Sequence, residues 1–180
     1  MEDAFFRNLE REQIDRFQAE QAKQTARIGL KKASGIDDDA TIDRLMELQI
    51  SPETWVALTL VPLLEVAWAD GRLDPKERDA ILAAAESHGI DRKSAARELL
   101  ESWLDKRPNE VLSSTWKACI SELVKKMPKE EIADLKVAVF SRARSVAEAA
   151  GGFLGIGSRI SEKEERILKE LDRAFGSPSE

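Results

Sequence analysis

The sequence predicts an all-α fold: a compact helical bundle of about seven helices, preceded by a peripheral N-terminal helix. Tyrosine is absent, and no segment alternates polar and apolar residues with the period of two that marks a strand. Apolar residues instead recur at helical spacing. The clearest stripe lies within 129–150 and consists of Ile132, Leu135, Val139, Val146 and Ala150.

Start and stop signals divide the chain into elements. Prolines stand where first helical turns would begin, and glycines stand where helices would end. They predict helices at 2–33, 39–48, 52–69, 75–88, 92–106, 108–127, 129–150 and 162–175. The third of these is apolar on nearly every side, so we expect it at the centre of the bundle, with a kink at Pro62.

Charge separates the N-terminal part of the chain from the rest. The first 33 residues hold seven basic and six acidic side chains but few large apolar ones, which is typical of a peripheral or projecting helix. We expect a charged amphipathic extension over 1–35, a helical domain over 36–176 and a tail over 177–180.

Composition excludes several classes of function. A net charge of −6 argues against nonspecific nucleic-acid binding, which needs clustered cations. One cysteine and one histidine exclude a disulfide framework, a thiolate zinc site and a multi-histidine metal site. No secretory signal or membrane-spanning run is visible, so we expect a cytoplasmic protein without membrane insertion. No nucleophile, base and orienting group can be assembled, so we expect no enzyme.

One local pattern occurs twice, over 66–82 and over 146–168. Each copy is a helix ending in Ala-x-Ala, a glycine turn, an arginine–aliphatic pair and a new helix that begins with a capping box. The capping boxes are Asp74-x-x-Glu77 and Ser161-x-x-Glu164. A helix-turn-helix unit used twice predicts two pseudo-equivalent halves in one core.

The first copy, Ala67-x-Ala-Asp-Gly-x-Leu-Asp-x-x-Glu77, resembles the signature of the tellurite-resistance TerB-like family. The longer turn between Ala147 and Glu164 is similar to the second-half turn in one branch of that family. The resemblance covers roughly 50–176. It implies a non-catalytic helical domain that acts as a binding or scaffold module in bacterial stress or tellurite resistance. It also implies an acidic site for a divalent cation, Ca²⁺ or Mg²⁺, and no certain cofactor.

Carried onto this chain, the acidic positions that the resemblance implies are Asp70, Asp74, Glu77 and Glu164. Hard cations need several oxygen ligands that converge on one point, and Glu65 lies one turn before Asp70. The second half has Ala150 where the first has Asp70, so one ligand of a symmetric site is missing. A capping box and a turn aspartate explain the first-half acids without any metal.

Two further alternatives stay open. The glycine turn at 151–158 fits a tight turn that places apolar side chains in the core, or an anion nest. The whole chain also fits a purely structural interaction protein without metal, in which the N-terminal helix dimerises or docks a protein partner.

Overall fold

The computed structural model describes residues 2–151 and 160–176, with side chains described for 11–149 and 160–176. This part of the chain contains eight α-helices, two 3₁₀ helices and no strand, which confirms the predicted all-α class. The chain divides into two compact units, Met1–Pro52 and Glu53–Glu180. The glycine turn at 152–159 and the tail at 177–180 lie outside the described residues.

The first unit contains α1 (Glu2–Ser34) and α2 (Asp39–Glu47). Gly35, with φ of 70°, ends α1, and the Asp38 carboxylate accepts a hydrogen bond of 2.7 Å from Thr41 N at the start of α2. The two helices pack together. Arg27 of α1 forms ion pairs with Asp39 and Asp43 of α2, which fix the helix pair on its polar side.

The second unit begins with a 3₁₀ helix, Trp55–Leu60, followed by α3, Val61–Ala67. The expected single helix over 52–69 is therefore wrong. Pro62 has no N–H and its ring clashes with a preceding α-helical turn, whereas in the first turn of α3 its missing N–H costs nothing. α3 contacts α4, α6, α7 and α8, and all of its side chains except Glu65 are buried. Its predicted central position is confirmed.

The remaining helices are α4 (Pro75–Ser87), α5 (Ala95–Asp105), α6 (Glu110–Val124), α7 (Lys129–Gly151) and α8 (Glu162–Asp172). Ser94 and Asn109 accept backbone hydrogen bonds at the starts of α5 and α6. A 3₁₀ turn, Arg173–Phe175, follows α8. The Phe175 ring packs edge to face on Trp116 and Phe140, with ring centroids 6.0 Å apart in both pairs.

α7 forms one wall of the second unit. It packs against α3, α4 and α8, and the second copy of the repeat runs from the end of α7 into α8. Both copies of the repeat therefore belong to one unit, as the duplication predicts. No helix among the described residues combines the length and apolar character needed to cross a bilayer.

The predicted stripe on α7 gives a matched stability test. Val146 lies on the stripe and is 2 % exposed, whereas Val137 lies off it and is 68 % exposed. We expect Val146→Ala to lower the free energy of unfolding by about 2 kcal/mol, because it removes two buried methyl groups and leaves a cavity. Val137→Ala should change it by less than about 0.5 kcal/mol. Urea unfolding followed by circular dichroism checks this, and equal effects would contradict the packing of α7.

Candidate functional site

A cleft of about 840 Å³ lies in the second unit, where the starts of α4 and α8 come together. Its lining comes from the end of α3, the turn before α4, the first turn of α4, one position of α7 and the start of α8. All four acidic residues singled out from the sequence line this cleft: Asp70, Asp74, Glu77 and Glu164. Glu65 does not line it: burial raises the pKa of this carboxyl, and Lys117 and Ser113 of α6 are among the groups that oppose the rise.

In the first copy of the repeat, between α3 and α4, backbone N–H groups donate hydrogen bonds to three carboxylates. Gly71 adopts a φ of 88°, which favours glycine, and the Asp70 carboxylate accepts from Arg72 N at 3.0 Å. Asp74 caps α4 by accepting from Lys76 N at 2.8 Å. Glu77 reaches back and accepts from Asp74 N at 2.9 Å. The predicted capping box is therefore present.

The second copy of the repeat has the same kind of capping box at the start of α8. The Ser161 hydroxyl accepts from Glu164 N at 3.2 Å, and the Glu164 carboxylate accepts from Ser161 N. This capping box is also present as predicted. Because both boxes place a glutamate at the third helical position, Glu77 and Glu164 come from equivalent places in the two halves and line the same cleft.

Glu77 is the buried member of the acidic group, with only 5 % of its surface exposed. Its pKa is raised from the ordinary 4.5 to about 7; burial is the largest cause, and the neighbouring charges of Glu164, Asp74 and Asp70 act in the same direction. The hydrogen bond from Asp74 N opposes this rise. The pKa of Glu77 therefore depends on carboxylates of both halves, and the four acids interact electrostatically.

The floor of the cleft is apolar, and its rim carries two basic side chains. Val66, Leu73 and Ala147 are among the apolar lining residues, while Arg72 and Lys163 are the basic ones. Sequence reasoning did not assign these residues to the site. A signal was available, because Arg72 and Lys163 lie within two residues of the capping residues Asp74 and Ser161.

The described side chains do not form a ready-made metal centre. Within 2–151 and 160–176, no three His, Cys, Asp or Glu side chains are grouped so that they could hold a metal ion together. Each of the four acids also uses a carboxylate oxygen to accept a backbone N–H. The assignment of Asp70, Asp74, Glu77 and Glu164 as ligands of Ca²⁺ or Mg²⁺ stays a prediction.

His88 and Cys119 do not line the cleft. His88 lies at the C-cap of α4, where its Nδ1 is 2.7 Å from Ala84 O. Cys119 is buried in α6, and burial raises the pKa of its thiol to about 12, so it is not a thiolate at neutral pH.

No protein-family model, curated protein or solved structure matches this chain.

The buried Glu77 predicts an unusual pH dependence of stability. An acid whose folded pKa lies above its unfolded pKa stabilises the folded state below the unfolded value, and this stabilisation is lost as pH rises through the folded value. We therefore expect the free energy of unfolding to fall by up to about 3 kcal/mol between pH 4.5 and pH 8 on account of Glu77 alone.

Glu77→Gln isolates this contribution, because the amide oxygen can still accept the bond from Asp74 N while the charge is gone. Urea unfolding at several pH values should give equal stability to the two proteins near pH 4.5 and a more stable variant at pH 8. Glu98→Gln, an exposed substitution on α5, should leave the change of unfolding free energy with pH as it is in the original protein. If the unfolding free energy of the Glu77→Gln protein falls with pH as steeply as that of the original protein, Glu77 is not the cause of the fall.

Proposed function

We propose that this chain is a non-catalytic helical binding module of the TerB-like kind, and that its acidic cleft binds a positively charged group of a partner protein. The observation that carries this proposal is the meeting of two capping boxes at one cleft, which brings carboxylates of both halves over an apolar floor.

The lining favours a cationic side chain with an aliphatic stem. Five acids line the cleft against two bases, so its net charge is negative: Asp70, Asp74, Glu77, Glu162 and Glu164 against Arg72 and Lys163. The apolar floor suits the methylene groups of a lysine or arginine, whose charged end would then reach the carboxylates. A volume of about 840 Å³ is also far larger than one ion needs.

Backbone hydrogen bonds hold acids of the cleft in place. Asp74, Glu77 and Glu164 are held by backbone N–H groups, which fixes their positions. Fixed charges give specificity and fast association with a partner of opposite charge. A divalent cation in the cleft, and a role in bacterial stress or tellurite resistance, stay predictions that rest on the family resemblance.

Replacing three acids of the cleft by amides of the same shape tests the proposed binding. Asp70→Asn, Glu77→Gln and Glu164→Gln together remove three negative charges and keep oxygens that can accept the backbone bonds. Calorimetric titration with a pentalysine peptide at pH 8 and low salt, where Glu77 is charged, should show at least tenfold weaker binding by this variant.

A matched control neutralises three exposed acids outside the cleft: Glu98→Gln, Glu131→Gln and Asp134→Asn. This protein should bind pentalysine as the original does. Equal affinity of both variants would contradict the proposal. Titration with CaCl₂ and MgCl₂ forms a second arm: an ion that binds while pentalysine does not would replace the protein partner with the divalent cation.

A further inference from the structure

The first helix carries an exposed apolar stripe. α1 has 33 residues, and side chains 11–25 of it are not buried. Ile14, Phe17 and Ile28 are 55, 64 and 67 % exposed, and they are three of the five large apolar side chains that the described residues expose. Together with Gln21 and Gln24 they follow the alternating spacing of three and four residues that places side chains on one helix face.

The exposed part of the stripe ends at Ile28, because Lys31, the next position on the same face, forms an ion pair of 2.8 Å with Asp39 of α2. Leu30 and Ser34 of α1 are buried, and helical periodicity places them on roughly the opposite side of the helix from Phe17 and Ile28. Arg27, which pairs with Asp39 and Asp43 of α2, also lies off the stripe. Packing of α1 against α2 therefore leaves the stripe uncovered.

Charge along α1 is strongly polarised. Residues 2–20 contain six acids and three bases, a net charge of −3, whereas residues 21–34 contain four bases and no acid. The boundary between the two segments falls within the stripe. A second helix with the same polarity complements α1 only when it runs in the opposite direction.

We propose that α1 binds α1 of a second copy of this chain in an antiparallel arrangement. Alternating layers of an antiparallel helix pair then set Phe17 against Ile28 of the second copy, and Gln21 against its Gln24. Each such pair forms twice, once on either side of the centre. In this register residues 11–20 of each helix, with three acids and two bases, lie along residues 25–34 of the other, with three bases and no acid.

A parallel pair would match the same stripe with itself but would be electrostatically unfavourable. It lays the basic segment 21–34 of one copy along the same segment of the other, with no acid in either. Antiparallel pairing removes this repulsion and keeps the apolar contacts. The charge pattern of α1 is therefore complementary to a second α1 only in the antiparallel direction.

Sedimentation equilibrium over a hundredfold range of protein concentration tests the association. The 20.1 kDa chain should approach twice that mass as concentration rises. Phe17→Glu should raise the dimer dissociation constant at least tenfold, since it places a charge in both apolar layers. Val111→Glu, at an exposed valine of α6, should leave it unchanged. A monomer at every concentration, or equal effects of the two substitutions, would overturn the proposal.

Disulfide formation tests the direction, because the natural Cys119 is buried and does not compete. A mixture of Phe17→Cys chains and Ile28→Cys chains should cross-link much faster than either protein alone. Faster linking of Phe17→Cys chains with each other would show a parallel pair and refute the arrangement. The three-amide cleft variant should still dimerise, so failure of the cleft proposal is distinguishable from failure of this one.

Discussion

The backbone N–H groups at the starts of α4 and α8 need acceptors, and the rest of the site depends on how the chain supplies them. A helix start leaves four N–H groups without partners inside the helix. Here each of these helices uses a capping box, and each box brings a glutamate to the third helical position. Because α3, α4, α7 and α8 pack together, the acceptors of both helices line one cleft. The acidic character of the cleft thus follows from local hydrogen bonding repeated in two halves.

The same arrangement explains why Glu77 differs from the other acids. Its carboxylate is tied to Asp74 N, so it stays at the bend, where the packing of the second unit buries it. Burial then favours its neutral form, and the charges of the neighbouring acids act in the same direction. A positively charged group that entered the cleft would stabilise the ionised form of Glu77. Binding and protonation at this site are therefore linked.

Much of the fold and the main site residues could be predicted from the sequence, because their signals are local. The capping boxes occupy four consecutive positions each, and the stripe on α7 placed Val139 and Val146 in the core, where they are buried. The prediction of one helix over 52–69 was wrong, because apolar periodicity does not distinguish a 3₁₀ helix from an α-helix before a proline.

Features that depend on packing between distant segments could not be predicted. Glu65 has the right residue type and spacing for the cleft, yet it faces α6, because the rotation of α3 within the core decides its direction. Gly29 is a similar case in the first unit. A Cβ atom at this position would lie 2.6 Å from the Cγ atom of Pro52, and only the folded chain brings these residues together.

The central claim is that carboxylates of the two halves act on one another in a single cleft. The most direct measurement is the pKa of Glu77, read from the ¹³C shift of its carboxyl carbon in the original protein and in Glu164→Gln. The account predicts a value near 7 in the original protein and a lower value once the charge of Glu164 is gone. An ordinary value near 4.5, or the same raised value in both proteins, would contradict it.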